Sequence, residues 1–327
     1  MTGMRVVVTG GAGYIGSHVC KELARAGLQP IAIDNLERGH AWAVKWGPLV
    51  TLDLLDTAAL TDALAAAKPA AVLHFAAYAY IHESVLEPRA YYRNNVGGTL
   101  SLLEAMARAG CDTLVFSSTC ATYGIPPRLP VDEDQPQMPI NPYGRSKLMV
   151  EQILEEEARA RGLRYVALRY FNAAGADPDG EIGEVHIPEP HLIPSVLQAA
   201  AGLRPAVDIL GGDYDTPDGT CIRDYIHVSD LADAHLRALR WLLDGNGSRC
   251  FNLGNGAGFS VRQVIDTARA VTGLDIPVTV KPRRPGDPPN LVGDAARAIR
   301  DLGWAPRRPG LEQQVEDAWR WLRQFHL

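Results

Sequence analysis

None of the five cysteines (Cys20, Cys111, Cys120, Cys221 and Cys250) pairs in a C-x-x-C spacing, and their number is odd. A disulfide scaffold and a thiolate zinc site are both disfavoured, and the reduced thiols of a cytoplasmic protein are the expectation. The chain also lacks an apolar run of membrane-spanning length. Its N-terminus turns glycine-rich within ten residues, so no secretory leader is expected. Basic charge is short: 32 Lys and Arg stand against 38 Asp and Glu, which argues against nucleic acid as a partner. Internal repeats and low-complexity tails are missing as well. The histidines show no metal-ligand spacing. His18, His227 and His235 read as packing or hydrogen-bonding residues and His74 as a satisfied core histidine, so no metal is expected. Cys120 reads as a small buried side chain.

What is present begins with an apolar run, Met4–Thr9, leading into Gly10-Gly-Ala-Gly13-Tyr-Ile-Gly16 and then a helical stretch from Ser17 to Ala26. Strand, glycine turn and helix form the first unit of a dinucleotide-binding fold. One glycine permits the tight turn, one lets backbone N–H groups approach a pyrophosphate, and one lets the helix pack on the strand. The second run, Gln29–Asp34, ends in a carboxylate eighteen residues after Gly16, where an acid accepts the hydroxyls of an adenosine ribose. Asp34 with Asn35 beside it favours NAD, because a 2′-phosphate would meet negative charge.

Further apolar runs at Leu49–Leu54, Ala71–Ala76, Thr113–Ser118 and Arg164–Asn172 alternate with helical stretches at Thr57–Ala67, Asn95–Ala109 and Tyr143–Arg161. The last two stop at Gly110 and Gly162. This alternation predicts an α/β fold, a doubly wound parallel sheet with a smaller C-terminal α/β domain. With 327 residues, 46% of them hydrophobic, the chain can bury two modest cores or one large one. The texture changes after Asn172: residues 177–194 are rich in Pro, Gly and acids with little periodicity. We expect domains at 1–173 and 174–327, with part of 221–245 returning to the first. A final helix places Leu311, Val315, Trp319 and Leu322 on one face.

Chemistry gathers at three residues. Tyr143 and Lys147 are four apart at a helix start and so share a face. An ordinary tyrosine is a poor base, with a pKa of about 10. A nearby ammonium and a positive nicotinamide ring would lower it. Thr119 follows Phe116-Ser-Ser118 at the carboxyl end of a strand, where open α/β sheets hold ligands, and offers a hydroxyl to the same substrate oxygen. Each feature alone has a plain structural reading; the three in this order after a glycine turn favour a catalytic one.

With these motifs the chain resembles the extended short-chain dehydrogenase/reductases, and among them the UDP-glucose 4-epimerases. The likeness runs nearly end to end, from Val6 through His18 to the Pro282–Asp287 loop. Its most specific pieces are Tyr143–Glu151, Leu168–Asn172 and Asp218–Val228. The resemblance implies Rossmann architecture, bound NAD, and interconversion of UDP-glucose and UDP-galactose at C4. Tyr143, helped by Thr119, would remove the 4-hydroxyl proton as hydride passes to NAD, giving a 4-keto sugar that turns over and is reduced on its other face. It places Gly10, Gly13, Tyr14, Ile15 and Gly16 at the pyrophosphate, Asp34 and Asn35 at the ribose, and Asp53 and Leu54 at the adenine. Phe75, Ala76, Ala77, Ala79, Asn94, Thr119, Tyr143, Lys147 and Phe171 would complete the NAD pocket. Thr119, Tyr143, Asn172, His191, Leu192, Arg223, Arg284, Asp287 and Leu291 would hold the UDP-sugar. Arginine suits a diphosphate independently, through its fixed fork of donors; Arg283 and Arg284 have the plainer reading of a solvated basic patch.

Two departures stand out. Ala79 occupies a position where relatives often carry a lysine to the NAD ribose, and Thr119 replaces a frequent serine. The nearest rival, a nucleotide-sugar 4,6-dehydratase, carries an acid pair directly after the threonine; Cys120 and Ala121 cannot do that work. A catalytically dead NAD-sensing scaffold would have no reason to keep Thr119, Tyr143 and Lys147 together. Leu291 lies where the family limits room beside C2 of the sugar, and leucine falls between the bulky and small extremes. UDP-glucose and UDP-galactose are therefore the expected pair, with UDP-N-acetylhexosamines or UDP-pentoses as alternatives. The resemblance also implies a homodimer through the Asn95–Ala109 and Tyr143–Arg161 helices.

Overall fold

The computed structural model describes residues 3–284 and 288–326. The first half runs β1 (Arg5–Thr9), α1 (Tyr14–Arg25), β2 (Gln29–Asp34), β3 (Leu49–Thr51), α2 (Thr57–Ala67) and β4 (Ala71–His74). It continues through α3 (Ile81–Leu86), α4 (Pro88–Tyr91), α5 (Gly98–Ala109), β5 (Thr113–Thr119), α6 (Pro142–Arg161) and β6 (Arg164–Tyr170). The second half holds β7 (Asn172–Ala174), α7 (Leu192–Ala200), β8 (Val207–Leu210), β9 (Ile222–Arg223), β10 (Tyr225–His227) and α8 (Val228–Leu243). After it come β11 (Arg249–Leu253), β12 (Phe259–Ser260), α9 (Val261–Thr272), β13 (Val278–Lys281), β14 (Asn290–Leu291), α10 (Ala296–Leu302) and α11 (Leu311–His326).

Seven strands form one parallel sheet in the order β11-β6-β5-β4-β1-β2-β3. The order reverses at β1, whose two neighbours are β2 and β4. Crossovers leave in opposite directions there, and a crevice opens beyond the carboxyl ends of the strands. Val6, Val7 and Val8 of β1 are all fully buried, as a strand covered on both faces must be. Helix α8 packs on α1 and against β5 and β6, and β11 closes the sheet edge beside β6. A separate core joins α7, α9 and α11 over β8 through Val196, Leu197, Ile209, Val264, Ile265, Leu311 and Val315. Val315 and Leu322 of the expected α11 face are buried, but Ala318 and Trp321 join them and Trp319 is only partly covered.

Several expected bounds shift for local reasons. The expected strand Leu49–Leu54 stops at Thr51, because Asp53 starts a turn by accepting from the Leu55 N–H at 2.8 Å. The expected strand Arg164–Asn172 stops at Tyr170, and Asn172 begins β7, which pairs with β10 instead. Residues 92–97 are a π-helical turn leading into α5, so the expected Asn95 start is replaced by Gly98. Helix α1 begins at Tyr14, inside the glycine turn, where small residues mask the helical pattern. Among the described residues no helix is long and apolar enough to cross a membrane.

Candidate active site

The glycine turn is shaped by contact. Gly10 has φ +72, and a Cβ there would lie 2.6 Å from the Ala76 nitrogen. A Cβ on Gly16 would meet the Gly10 carbonyl oxygen at 2.1 Å. Only glycine lets β1, α1 and the end of β4 approach so closely. Gly13, the N-cap of α1, provides no side-chain cap, so the first-turn N–H groups of Tyr14 and Ile15 remain for a ligand. Asp34 is buried at the end of β2; its Oδ2 accepts from Ala12 N at 3.0 Å and its Oδ1 from Leu36 N at 2.9 Å. Burial raises its pKa and those two N–H groups pull it back down. Each oxygen keeps a lone pair for a hydroxyl donor. Asn35 donates to Asp53 at 3.1 Å, and Leu54 is buried behind them. An uncapped helix N-terminus beside an oriented carboxylate is the donor and acceptor set that a dinucleotide requires, and the residues fit it.

On the other side of the crevice, α6 is placed by its own sequence. Asn141 caps it, accepting from Gly144 N at 2.8 Å, Pro142 occupies the first turn and Gly162 ends it in the left-handed region. A Cβ on Gly144 would lie 2.4 Å from the Ala121 carbonyl oxygen, so the first turn of α6 lies directly on the turn after Thr119. This contact brings Tyr143 to Thr119. Desolvation pushes the Tyr143 phenol well above its ordinary value, and the Thr119 hydroxyl is the neighbour that pulls it down. Lys147 donates from its Nζ to the Ser117 carbonyl oxygen at 2.8 Å, so the ammonium is anchored on the strand and desolvation dominates at the phenol. Lys147 is itself buried, which lowers it to about 7 against the pull of Glu151.

The remaining expected residues divide. Asn172 donates through both its N–H and its Nδ2 to the Asp224 carbonyl oxygen, at 3.1 and 2.9 Å, and Asp224 N donates to Leu291 O at 3.2 Å. Arg223 pairs in register with Leu291, and its charge reaches Cys120, the neighbour of Thr119. Phe171 is buried under Gly293, where a Cβ would meet its ring at 2.2 Å. These residues thus converge on one end of the crevice. Tyr14 donates to Gly175 O at 2.6 Å. His191 and Leu192 start α7, and carboxylates Glu184 and Glu189 act on both Tyr14 and His191. Phe75 packs on His235, with ring centroids 4.6 Å apart. Ala76 and Ala77 are partly buried; Ala79 is exposed. Asn94 donates to Asn95 at 3.0 Å. Arg284 is exposed beyond β13, while Arg283 stacks over Tyr214 and bonds Asp213 at 2.7 Å, so it is no bare solvated charge. Asp287 lies outside the described residues.

With the geometry in place, the likenesses decide the family. A family model described as "NAD dependent epimerase/dehydratase family" matches residues 6–254. The chain belongs to that family. A UDP-glucose 4-epimerase of Rhizobium meliloti is 51% identical over 321 residues, covering 98% of both chains. The crystal structure of a UDP-glucose 4-epimerase from Brucella ovis in complex with NAD superposes with a TM-score of 0.95 at 52% identity, over 97% of each chain. The UDP-glucose 4-epimerase of Stenotrophomonas maltophila, solved with NAD and formylated UDP-arabinopyranose, matches at TM-score 0.95 and 41% identity over 98% of each chain.

Sequence reasoning about this epimerase-family chain missed several supports. Asn95, in the π turn, accepts from Tyr78 N at 2.8 Å and donates to Tyr78 O and Ser146 Oγ, both at 3.0 Å. It ties the loop after β4 to α6. Arg38 lies 3.9 Å from the Tyr78 ring centroid and 4.9 Å from that of Tyr80, and pairs with Glu83 at 2.8 Å. It braces the loop in which Ala79 stands. Glu151 lies under Lys147; their four-residue spacing was a legible signal. His74 is the expected core histidine, held by Thr9 at 2.7 Å and Thr99 at 2.9 Å, and burial lowers it to about 3. Burial also pushes the Cys120 thiol up to about 12.

Proposed function

We propose that this protein interconverts UDP-glucose and UDP-galactose by inverting C4 through a transient 4-keto sugar. The observation that carries the reading is the Thr119–Tyr143 hydroxyl pair at the carboxyl edge of β5, with Lys147 one helical turn away and no acid on Cys120 or Ala121. Residues 1–173 provide the NAD side of the crevice and 174–327 the sugar-nucleotide side, with α8 packed back on the first. Gly10, Gly13, Tyr14, Ile15, Gly16, Asp34, Asn35, Asp53 and Leu54 hold the adenosine and pyrophosphate end of the cofactor. Phe75 to Ala77, Ala79, Asn94, Lys147 and Phe171 hold the rest. Oxidised NAD supplies the hydride acceptor and a positive charge when bound.

Tyr143 does the proton work. Desolvation raises its phenol and Thr119 pulls it down, so ionisation calls for positive charge brought to the site, which oxidised NAD would supply when bound. Thr119 donates to the same sugar oxygen and keeps it in line with Tyr143. The proton taken from the 4-hydroxyl stays on Tyr143 and returns to the oxygen at the end of the cycle, so no net oxidation occurs. Asn172, His191, Leu192, Arg223, Arg284 and Asp287 grip the nucleotide. The sugar is left loosely held, as a ring that must present both faces requires.

Leu291, half-buried against the Phe171 core, supports hexoses as the main substrates. Its intermediate size also supports a second, weaker activity on UDP-N-acetylhexosamines or UDP-pentoses. Exposed Leu100 on α5 and Met149 on α6 support a homodimer through those helices, and five free cysteines support a cytoplasmic setting. Incubation with UDP-galactose should yield UDP-glucose; a 4-keto-6-deoxy product would make it a dehydratase, and no product would leave only a binding protein. Leu291→Tyr should depress turnover of UDP-GalNAc relative to UDP-galactose; unchanged ratios would remove Leu291 as the gate.

A further inference from the structure

Glu184, His186, Glu189 and His191 bring four potential ligand atoms within 4.8 Å of one another. The His186 Nδ1 lies 3.0 Å from Glu184 Oε1 and 3.6 Å from Glu189 Oε2. The His191 Nδ1 lies 2.6 Å from the same Glu184 oxygen and 3.1 Å from Glu189 Oε1. Ligands about 2.1 Å from a tetrahedral ion stand about 3.4 Å apart, within the span of these distances. The carboxylates are nearly out of water, with side chains 6% and 3% exposed. Burial at that depth demands compensating positive charge.

The direction of the ring matters more than the distances. His186 Nδ1 is buried with no hydrogen-bond partner of acceptable geometry, although a carboxylate oxygen is 3.0 Å away. The other acidic cluster of this region, Asp177, Asp179 and Glu181, shows the alternative: the Lys21 ammonium contacts all three at 2.6, 2.9 and 2.6 Å and fills that place. No lysine or arginine does this for the first cluster among its described ion pairs. Two imidazoles and two carboxylates suit zinc and its first-row neighbours; calcium and magnesium select oxygen alone. A cavity walled by Leu197, Trp321 and Leu322 reaches Glu184, His186 and Glu189 and offers an approach.

We infer that these four residues form a binding site for a divalent transition-metal cation of the zinc type. The ion would fix residues 184–191, the segment that presents His191 and Leu192 to the crevice. The inference stands on the donor geometry and does not need the proposed sugar chemistry. Because a ligating imidazole must be neutral, affinity should rise with pH.

The test uses the full chain with its cofactor, stripped by chelator and dialysed against Zn2+ at pH 8, with bound metal counted by mass spectrometry. One zinc per chain is expected, together with a rise in thermal midpoint, and Co2+ should give the visible absorption of a four-coordinate site. His186→Ala should lose the ion at the same free zinc while keeping its fold by circular dichroism and its turnover in metal-free buffer. Glu189→Gln provides a second variant if the first does not fold. Absence of stoichiometric zinc in the unaltered protein, or equal binding by both variants, would overturn the site.

Discussion

Glu151→Gln separates two duties of one buried carboxylate. Glu151 accepts from Arg169 Nε at 3.0 and 3.1 Å, from Arg169 Nη2 at 2.6 Å, from Gln137 at 3.0 Å, and from Ser118 Oγ. Arg169 also donates to Tyr123 at 2.9 Å, whose hydroxyl donates to Asn252 at 2.7 Å. The two ionic side chains are only 7% and 6% exposed. Glutamine keeps the shape but strands the guanidinium, and removing one partner of a buried pair costs about 3–5 kcal/mol. Guanidinium unfolding followed by circular dichroism should show a loss of that size. The second duty is electrostatic. Burial holds Lys147 near 7, and Glu151 is the charge that opposes the fall. Without it Lys147 loses its proton at lower pH, so the alkaline limb of turnover should move down. Glu151→Leu with Arg169→Met, an apolar pair, should recover stability but not the pH profile. A loss within about 1 kcal/mol, the value of an exposed pair, with an unmoved profile would refute the reasoning.

Gly144→Ala should lower kcat about a hundredfold with cofactor retained, because the new Cβ would push α6 off the Ala121 carbonyl and part Tyr143 from Thr119; wild-type kcat would show that this contact does not set the distance. Acid should destabilise the fold. Burial lowers His74 to about 3 and His18 and His235 to about 4, from an ordinary value near 6.5. Below pH 6.5 the unfolded chain takes up protons that the folded one refuses, so stability falls as pH drops from 6.5 toward 4. Asp224, raised to about 6 by burial, works the other way, as do His186 and His191, raised to about 9 and 10 against Glu184 and Glu189; those two histidines are protonated in both states below about pH 5.5, so the fall is steepest from there toward pH 4. The urea midpoint at pH 7, 5 and 4 measures this, and a constant midpoint would contradict it.

The sheet was legible because β1, β2 and α2 depend on local patterns: the bounds of β2 and α2 agree with the sequence reading to the residue, and β1 starts one residue inside its apolar run. Fully buried parallel strands read as plain apolar runs. Misplaced ends share a cause: Asn172, the π turn and the Asp53 turn are set by partners distant in sequence or by side-chain hydrogen bonds. The Thr119, Tyr143 and Lys147 triad was visible through spacing, yet the anchoring of Lys147 was not. Whether an ammonium faces a phenol or a carbonyl is a matter of packing, and Lys147 faces Ser117. Asp224 and Asn95 gave no signal, since their work is to accept and donate across loops that meet only in the fold.

Tyr143→Phe is the most direct measurement. The hydroxyl alone is removed, and interconversion of UDP-galactose and UDP-glucose should fall by about 10²- to 10⁴-fold, with NAD content and UDP binding unchanged. Turnover near that of the unaltered protein would contradict the assignment of the proton to this side chain.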